Sequence, residues 1–247
     1  MKVSIITVCF NSAATLQHTL ESVSAQRGAE FEHIIVDGGS TDGTLALLDA
    51  WKGHPLKVVS ESDRGIYDAM NKGIALASGE VIGFLNADDR YADEHALASI
   101  AQAMAHPKVD CCQADLVFVD AKSRRVLRYW KSAEFERPRF AFGWLPAHPT
   151  LYVRKSAFRQ VGNFSLNYGV AADIEWMMRL LSLPGLRCAY IPRVLVTMDA
   201  GGVSNAGLRA FIRNNHHVWR ACRTLRIQAL PFVVGKTARK IPQWLRG

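Results

Sequence analysis

The first half of the chain alternates apolar runs with apolar stripes at helical spacing. The runs at residues 3–8, 31–36 and 56–60 predict buried strands. Between and after them, leucine, isoleucine and methionine recur three or four positions apart, which predicts helices near residues 16–23, 45–51, 66–77 and 96–104. Repeated strand–helix units of this size predict a mostly parallel, doubly wound sheet with right-handed crossovers.

The second half has a different pattern. Residues 110–119 and 126–130 predict a hairpin, residues 150–153 a strand, 173–183 a helix and 188–198 a final strand. The sequence has no internal repeat and no low-complexity linker. We therefore predict one α/β domain over residues 1–205, made of a parallel half (1–106) and a mixed half (107–205), with a basic tail at 206–247.

Acidic residues follow several of the predicted strands. Asp37 and Asp88 come at strand ends and Asp63 soon after one. Strand ends in a parallel sheet open on one rim, so these carboxylates are expected to converge on one pocket. The apolar run at 81–85 leads directly into Asn86-Ala87-Asp88-Asp89, whose oxygen ligands suit Mg²⁺ or Mn²⁺. The alternative is a turn in which an aspartate caps the next helix.

Composition narrows the class of protein. Nearly half of the 247 residues are hydrophobic, as in ordinary globular proteins, and no apolar run approaches the ~18 residues of a membrane span. Neither a GxGxxG nor a GxxxxGK[ST] motif is present, which argues against a dinucleotide-binding Rossmann domain and a P-loop. Five cysteines without CxxC spacing and a start that leads straight into a core strand predict a cytoplasmic protein with reduced thiols.

Three segments of the first hundred residues resemble family 2 glycosyltransferases, which have the GT-A fold. They are residues 3–11 (VSIITVCFN), 33–44 (HIIVDGGSTDGT) and 78–89 (SGEVIGFLNADD), in the family's order and spacing. A fourth segment, residues 63–73 (DRGIYDAMNKG), is similar to the subgroup that builds bacterial surface polysaccharides. The resemblance implies that residues 1–106 bind a nucleotide-sugar and residues 107–205 bind the acceptor.

The resemblance also assigns donor-side residues. Thr7, Cys9 and Asn11 are expected to line the nucleotide pocket, largely through their backbone. Asp37 is expected to contact the nucleoside and Asp63 to lie near the base. Asn86-Ala87-Asp88 occupies the family's DxD position, with Asp88 as the expected metal ligand. Asn86 replaces the first carboxylate of that motif. Asp89 either compensates for the lost charge or caps the following helix.

The catalytic base is expected from the second half. Residues 172–180 (ADIEWMMRL) resemble the family's Glu-Asp motif, with Asp173 at the base position and Ala172 in place of the preceding glutamate. Asp173 would accept the proton of an acceptor hydroxyl in a single inverting displacement. Glu175 is the competing candidate, although it is also placed to pair with Arg179 at i+4.

Other residues are expected on the acceptor side. His148, in the turn Pro146-Ala147-His148-Pro149-Thr150, and Tyr67 are candidates there, while the alternative for His148 is a structural role. Residues 201–204 (GGVS) are expected to form a flap over the product diphosphate or a flexible link to the tail.

The basic charge is concentrated at the C-terminal end. Nine Lys/Arg and no Asp/Glu follow Asp199, so the net charge of +8 resides entirely in this segment. Leu208, Phe211, Ile212, Trp219 and Cys222 fall on one helical face, flanked by arginines. This pattern favours binding to an anionic membrane surface. Packing on the body remains open, and nucleic-acid binding is the least favoured interpretation.

Together these features predict a metal-dependent glycosyltransferase on the inner face of the cell membrane. It would transfer sugar from a nucleotide-diphosphate sugar to a lipid-linked saccharide in surface-polysaccharide or lipopolysaccharide synthesis. The alternative is a non-catalytic nucleotide-sugar- or carbohydrate-binding module on a GT-A scaffold, because Asn86 and Ala172 both weaken acidic motifs.

Overall fold

The computed structural model describes residues 1–200 and 207–239, with side chains of the second segment described from residue 211. Its strands are β1 (Lys2–Cys9), β2 (Glu30–Asp37), β3 (Leu56–Ser60), β4 (Val81–Phe84), β5 (Asp89–Tyr91), β6 (Cys111–Val119), β7 (Val126–Trp130), β8 (Tyr152–Arg154) and β9 (Cys188–Asp199). Its helices are α1 (Leu16–Ser24), α2 (Thr44–Ala50), α3 (Ile66–Leu76), α4 (Ala96–Ala103), α5 (Arg137–Ala141), α6 (Lys155–Val161), α7 (Ala172–Leu181), α8 (Gly207–Thr224) and α9 (Ala229–Ala238).

One sheet runs through the body in the order β3-β2-β1-β4-β8-β6-β9-β5, and β7 pairs with β6. Strands β1 to β4, four of the five strands of the first half, are parallel, which confirms the predicted doubly wound arrangement. The second half is mixed. β6 pairs with β7 as the predicted hairpin, runs parallel to β9 and is antiparallel to β8.

The segment after β4 excludes one of the two alternatives for Asp89, the helix cap. This residue does not cap the following helix but begins β5, a short strand that pairs with the end of β9 through Asp89 and Met198. The helix begins later, at Ala96. The pairing brings the ends of both halves of the chain together, because β5 comes from the first half and β9 from the second.

The two C-terminal helices pack on the body. Val218, Ala221 and Cys222 of α8 and Phe232 of α9 are buried and belong to the same core as β1, β4 and α7. Gly235 lies so close to Phe142 that a Cβ atom there would come 2.1 Å from the Phe142 carbonyl oxygen. Packing of the described part of the tail, residues 211–239, is therefore established.

The expected single apolar face of the tail is divided between core and surface. Cys222 faces the core, whereas Phe211, Ile212 and Trp219 are substantially exposed. The side chain of Leu208 and residues 201–204 and 240–247 lie outside the part that is described. Among the described helices, none combines the length and the apolar character needed to cross a membrane.

Candidate active site

A cleft of about 480 Å³ opens where the two halves of the chain meet. Its size is within the range of small-molecule sites, ~300–1,000 Å³. Five of the residues singled out from the sequence line it: Tyr67, Asn86, Asp88, His148 and Asp173. The first three come from the parallel half and the other two from the mixed half. The cleft therefore joins the expected metal ligand and the expected base in one cavity.

The metal end of the cleft carries polar groups whose hydrogen-bonding capacity is only partly used. Asn86 Nδ2 donates to Asp89 Oδ2 at 3.0 Å, but Asn86 Oδ1 and Asp89 Oδ1 are buried without a partner. Burial, and secondarily the nearby Asp199 carboxylate, raises the pKa of Asp88. Asp199 ends β9 and accepts hydrogen bonds from Arg90 at 2.7 Å and from Arg124. Ala87, between Asn86 and Asp88, is buried.

This donor set fits a hard divalent cation that arrives with a diphosphate. Asp88 and Asp199 both line the cleft, and Asn86 Oδ1 is an orphaned oxygen of the type that Mg²⁺ and Mn²⁺ prefer. Within residues 1–200 and 207–239, no group of three or more His, Cys, Asp or Glu side chains is arranged to hold a metal on its own. Mg²⁺ usually keeps waters and takes substrate phosphates beside one or two carboxylates, so an incomplete protein set is compatible with it.

Asp173 and Glu175 differ clearly in their surroundings. Asp173 lies in the first turn of α7, lines the cleft and accepts a hydrogen bond from its neighbour's backbone, Ile174 N, at 2.8 Å. Glu175 is 5% exposed and holds Arg179 through two hydrogen bonds of 2.8 and 3.0 Å. The expected pairing of Glu175 with Arg179 is therefore confirmed, and only Asp173 faces the cleft. Ala172 is completely buried beside it.

His148 and Tyr67 lie close to Asp173. The His148 ring stacks on Phe84 with centroids 5.3 Å apart and meets Phe164 edge-on at 5.7 Å. Burial lowers the pKa of His148, while Asp173 acts in the opposite direction. The Tyr67 hydroxyl donates to the Val170 carbonyl at 3.3 Å, and its pKa is raised, first by burial and then by Asp173. A neutral imidazole and a phenol thus border the candidate base.

Asp37 lies outside the cleft and is fully buried. Its carboxylate accepts hydrogen bonds from the backbone of Gly39 and Ser40, both at 3.0 Å, and from the hydroxyls of Ser40 and Ser60. Burial acts to raise its pKa, but these hydrogen bonds more than compensate and the pKa is lowered. Contact with a nucleoside would require one of the serine hydroxyls to be released.

The side chains of Thr7 and Cys9 are buried, so any contact of these residues with a nucleotide would be made through their backbone. Thr7 is completely buried, and its hydroxyl donates to the Leu85 carbonyl at 2.7 Å and contacts His33 Nε2 at 2.8 Å. Cys9 is buried against Asp37, and burial together with Asp37 raises the pKa of its thiol to about 12. Both side chains therefore lie in the core and bond to the ends of neighbouring strands. The other residues of β1 after Lys2 are buried as well.

An exposed surface at the end of β1 contains the other donor-side candidates. Asn11 is exposed and accepts from Thr41 N at 2.9 Å through Oδ1. Asp63 lies against Gly38, where a Cβ atom would come 2.6 Å from Asp63 Oδ2 and 3.4 Å from the Phe10 ring. Phe10 itself is 62% exposed, unusual for an aromatic ring beside polar groups.

Sequence reasoning missed several residues that line the cleft. Asp199 was treated only as the last acidic residue before the tail, and pairing of β5 with β9 is what brings it to Asp88. The hairpin contributes Arg128, and the tail contributes Asn214, Lys236 and Arg239. The basic composition of the tail is apparent from the sequence. The packing of α9 that places Lys236 and Arg239 at the cleft is not.

Comparison with solved structures defines the class of fold. The structure of S. aureus TarS 1-349 in complex with UDP-GlcNAc superposes with a TM-score of 0.67 at 18% identity, covering 100% of this chain and 79% of that one. The mannosyltransferase PcManGT from Pyrobaculum calidifontis, in complex with GDP-Man and Mn²⁺, gives a TM-score of 0.68 at 20% identity, with 95% and 68% covered. These likenesses establish a GT-A fold.

The sequence comparisons define the family within that fold. Residues 4–162 match the model of Glycosyl transferase family 2. A PGL/p-HBAD biosynthesis glycosyltransferase of Mycobacterium tuberculosis is 34% identical over 206 residues, which cover 82% of this chain and 78% of that protein. An uncharacterized glycosyltransferase of the same species is also 34% identical, over 213 residues, with 82% and 77% covered. This chain belongs to glycosyltransferase family 2.

Proposed function

We propose that this protein is an inverting, metal-dependent glycosyltransferase that moves a sugar from a nucleotide-diphosphate sugar to a lipid-linked saccharide. The observation that carries the proposal is the presence of Asp88 and Asp173 in one cleft, contributed by separate halves of the chain. The relative named for PGL/p-HBAD biosynthesis supports a role in glycolipid or surface-polysaccharide synthesis. The UDP-GlcNAc and GDP-Man complexes of similar folds support a nucleotide-sugar donor.

The donor would lie across the strand ends of the parallel half. Its base would rest on the exposed Phe10 ring with Asp63 at its edge, an arrangement that combines stacking with a hydrogen-bond acceptor. Asn11 and the loop held by Asp37 would border the ribose. The diphosphate would then reach Asn86 and Asp88 at the metal end of the cleft.

Asp88, with Asp199 and the orphaned Asn86 Oδ1 beside it, would hold Mg²⁺ or Mn²⁺. When bound, such a cation supplies charge neutralisation for a leaving diphosphate. The Mn²⁺ in the similar PcManGT structure supports this assignment. Arg90 and Arg124 already hold Asp199, so Asp88 is the ligand whose carboxylate has fewer competing partners.

Asp173 would act as the general base. It accepts the proton of the acceptor hydroxyl as that oxygen forms a bond to the anomeric carbon, and the bond from this carbon to the diphosphate oxygen breaks. Attack on the face opposite the leaving group inverts the anomeric centre, as in other inverting carbohydrate chemistry. His148 and Tyr67 border Asp173 and would orient the acceptor or the base.

The exposed outer face of the C-terminal helices would contact the inner face of the cell membrane. Phe211, Ile212, Leu230 and Val234 are between 43% and 64% exposed. Arg213, Arg220 and Arg223 of α8 are exposed beside them. Apolar side chains flanked by arginines suit an anionic lipid–water interface, and this position would make the enzyme a peripheral protein on the cytoplasmic side.

The decisive experiment incubates the protein with UDP-, GDP- and dTDP-sugars, with Mn²⁺ or with EDTA. We expect one donor to raise the melting temperature in Mn²⁺ and to be hydrolysed slowly, with both effects lost in EDTA. Stabilisation without hydrolysis or transfer, even with saccharide acceptors present, would identify a binding module instead. Hydrolysis that is equal in EDTA would refute the metal dependence.

A further inference from the structure

Arg128 is a cation on the cleft wall without a counter-ion. It lies in β7 opposite Phe118, and its guanidinium carbon is 3.8 Å from the centre of the Phe118 ring and 5.6 Å from that of Trp130. Its Nε is buried without a hydrogen-bond partner, and it forms no ion pair with any described residue. The guanidinium remains charged at neutral pH.

Asp115 of β6 and Asp199 of β9, two carboxylates on the strands beside this hairpin, are already engaged. Asp115 accepts hydrogen bonds from Tyr129 at 2.6 Å, Tyr190 at 2.8 Å and the backbone of Ser132 at 2.7 Å. Asp199 is held by Arg90 and Arg124. Burial lowers the pKa of Arg128, and no carboxylate offsets that effect. A partly desolvated charge of this kind is unfavourable unless an anion pairs with it.

Strand register separates Arg128 from the metal end. Asp89 pairs with Met198, Met198 with Phe118 and Phe118 with Arg128, so these four residues form a row across β5, β9, β6 and β7. Three interstrand steps of ~4.8 Å make about 14 Å between the first and last backbone positions. The guanidinium folds back over Phe118, about two steps from β5. A diphosphate held at Asp88 would therefore be distinct from an anion bound at Arg128.

The surroundings of Arg128 suit an amphipathic molecule. Trp130 lies beside the guanidinium, and Leu116, Trp144 and Leu145 are further apolar residues of the cleft wall. Lys236 and Arg239 of α9 add positive charge to the same cleft.

We propose that Arg128 is the centre of an anion subsite that binds the phosphoryl group of the acceptor, between its lipid and its sugar. This inference rests on the proposed function only in assigning this end of the cleft to the acceptor. Arginine suits the role because its planar guanidinium can form two parallel hydrogen bonds with phosphate oxygens. The acceptor class is then a prenyl-type phosphate or diphosphate that carries a saccharide.

The test measures binding of geranyl diphosphate to the full chain by isothermal titration calorimetry, in EDTA to exclude a metal-bridged complex. Geraniol serves as the uncharged probe. We expect the wild type to bind geranyl diphosphate and not geraniol. Arg128→Met should keep the contact with Phe118 but weaken binding by about tenfold or more, the effect of losing a charged hydrogen bond. Arg128→Lys should retain an intermediate affinity.

Arg125→Met is the matched control, since Arg125 lies on the same hairpin, is exposed and does not line the cleft. It should bind geranyl diphosphate as the wild type does. UDP or GDP with Mn²⁺ should bind equally to wild type and Arg128→Met, and weakening of that binding would assign Arg128 to the donor instead. Equal affinity of the wild type and Arg128→Met for geranyl diphosphate, or no binding by the wild type, would overturn the proposal. Failure of donor hydrolysis would leave this result unaffected.

Discussion

Two groups of polar side chains lie at the strand ends of this protein, and they differ in how their hydrogen-bonding capacity is used. At the end of β2, Asp37 accepts hydrogen bonds from five donors, the Cys9 thiol among them, and its pKa is lowered despite burial. At the end of β4, Asp88 has its pKa raised by burial and Asp199, and orphaned oxygens of Asn86 and Asp89 lie beside it. The first group is complete without a ligand, whereas the second is suited to receive a cation.

The same contrast applies inside α7. Glu175 is buried and paired with Arg179, while Asp173, two residues earlier, is half-buried on the cleft wall. Acidic residues that are close in sequence therefore have different surroundings: Glu175 holds Arg179, and Asp173 faces the cleft. Unsatisfied polar groups mark the part of the molecule where a ligand would bind.

The largest effect should come from Asp173→Asn, which preserves shape and removes basicity. We expect kcat to fall by ~10²–10⁴-fold, the usual contribution of a general base. The proposed donor contacts do not include Asp173, so the affinity for the donor should stay within about twofold. Steady-state kinetics and donor titration measure the two quantities.

Glu175→Gln is the control for that prediction. It breaks a partly buried ion pair and should lower the melting temperature, because the half-buried Arg179 loses its charged partner. Its kcat per folded molecule should remain close to that of the wild type. A larger loss of kcat in Glu175→Gln than in Asp173→Asn would reverse the assignment of the base.

Asp88→Asn should have the next largest effect. Loss of the metal ligand should lower kcat/KM by about 10²-fold or more and abolish the part of donor affinity that depends on Mn²⁺. The fold should not suffer, because the raised pKa means that ionised Asp88 opposes folding at neutral pH. The melting temperature in EDTA should therefore equal or exceed that of the wild type. Unchanged Mn²⁺ dependence of donor binding would place the metal elsewhere.

Asp37→Ala, in contrast to Asp88→Asn, should mainly lower the stability of the fold. Removing the acceptor leaves the donors of Gly39, Ser40 and Ser60 unpaired, which should cost about 3 kcal/mol, or about 6–12 °C in melting temperature. The lowered folded-state pKa means that Asp37 stabilises the fold above the ordinary carboxyl pKa of 3.8 and that this contribution is lost as the pH falls below it. The difference in stability between wild type and variant should accordingly narrow in acid. A constant difference from pH 7 to pH 3 would contradict this account.

The sequence predicted most of the strands and helices and five of the residues that line the cleft. Strong apolar periodicity located β3 and the hairpin of β6 and β7, and the family resemblance led to Asp88 and Asp173. A local sequence pattern does not predict which distant strands pair with each other. Nothing near Asp89 or Asp199 in the sequence indicates that β5 and β9 are neighbours, so Asp199 was missed and Asp89 was taken as a possible cap.

Saturation of Asp37 was also invisible in the sequence, because it depends on Ser60 from the next strand. Likewise, helical periodicity predicted that α8 has a single apolar face. In the structure, contact with α7 and with the turn that precedes α7 buries a different set of α8 side chains. Val218 and Ala221 entered the core with Cys222, and Ile212 and Trp219 remained outside. Periodicity identifies an apolar stripe, whereas the shape of the partner surface decides which part of it is covered.

The smallest effect is expected at the outer face of the tail, where Leu230 is 64% exposed and contributes little to the fold. Leu230→Ser should weaken binding to anionic vesicles by about 1 kcal/mol, a few-fold in the bound fraction, since a side chain at an interface is only partly buried. Val58→Ser on β3 is the matched control, because Val58 is also exposed but lies on the opposite edge of the sheet. High salt should weaken wild-type binding further, because the Debye length falls from ~10 Å at 0.1 M to ~3 Å at 1 M. Vesicle co-sedimentation at low and high salt measures the binding of the wild type and of both variants. Equal sedimentation of wild type, Leu230→Ser and Val58→Ser at both salt concentrations would show that the outer face has no role in membrane binding.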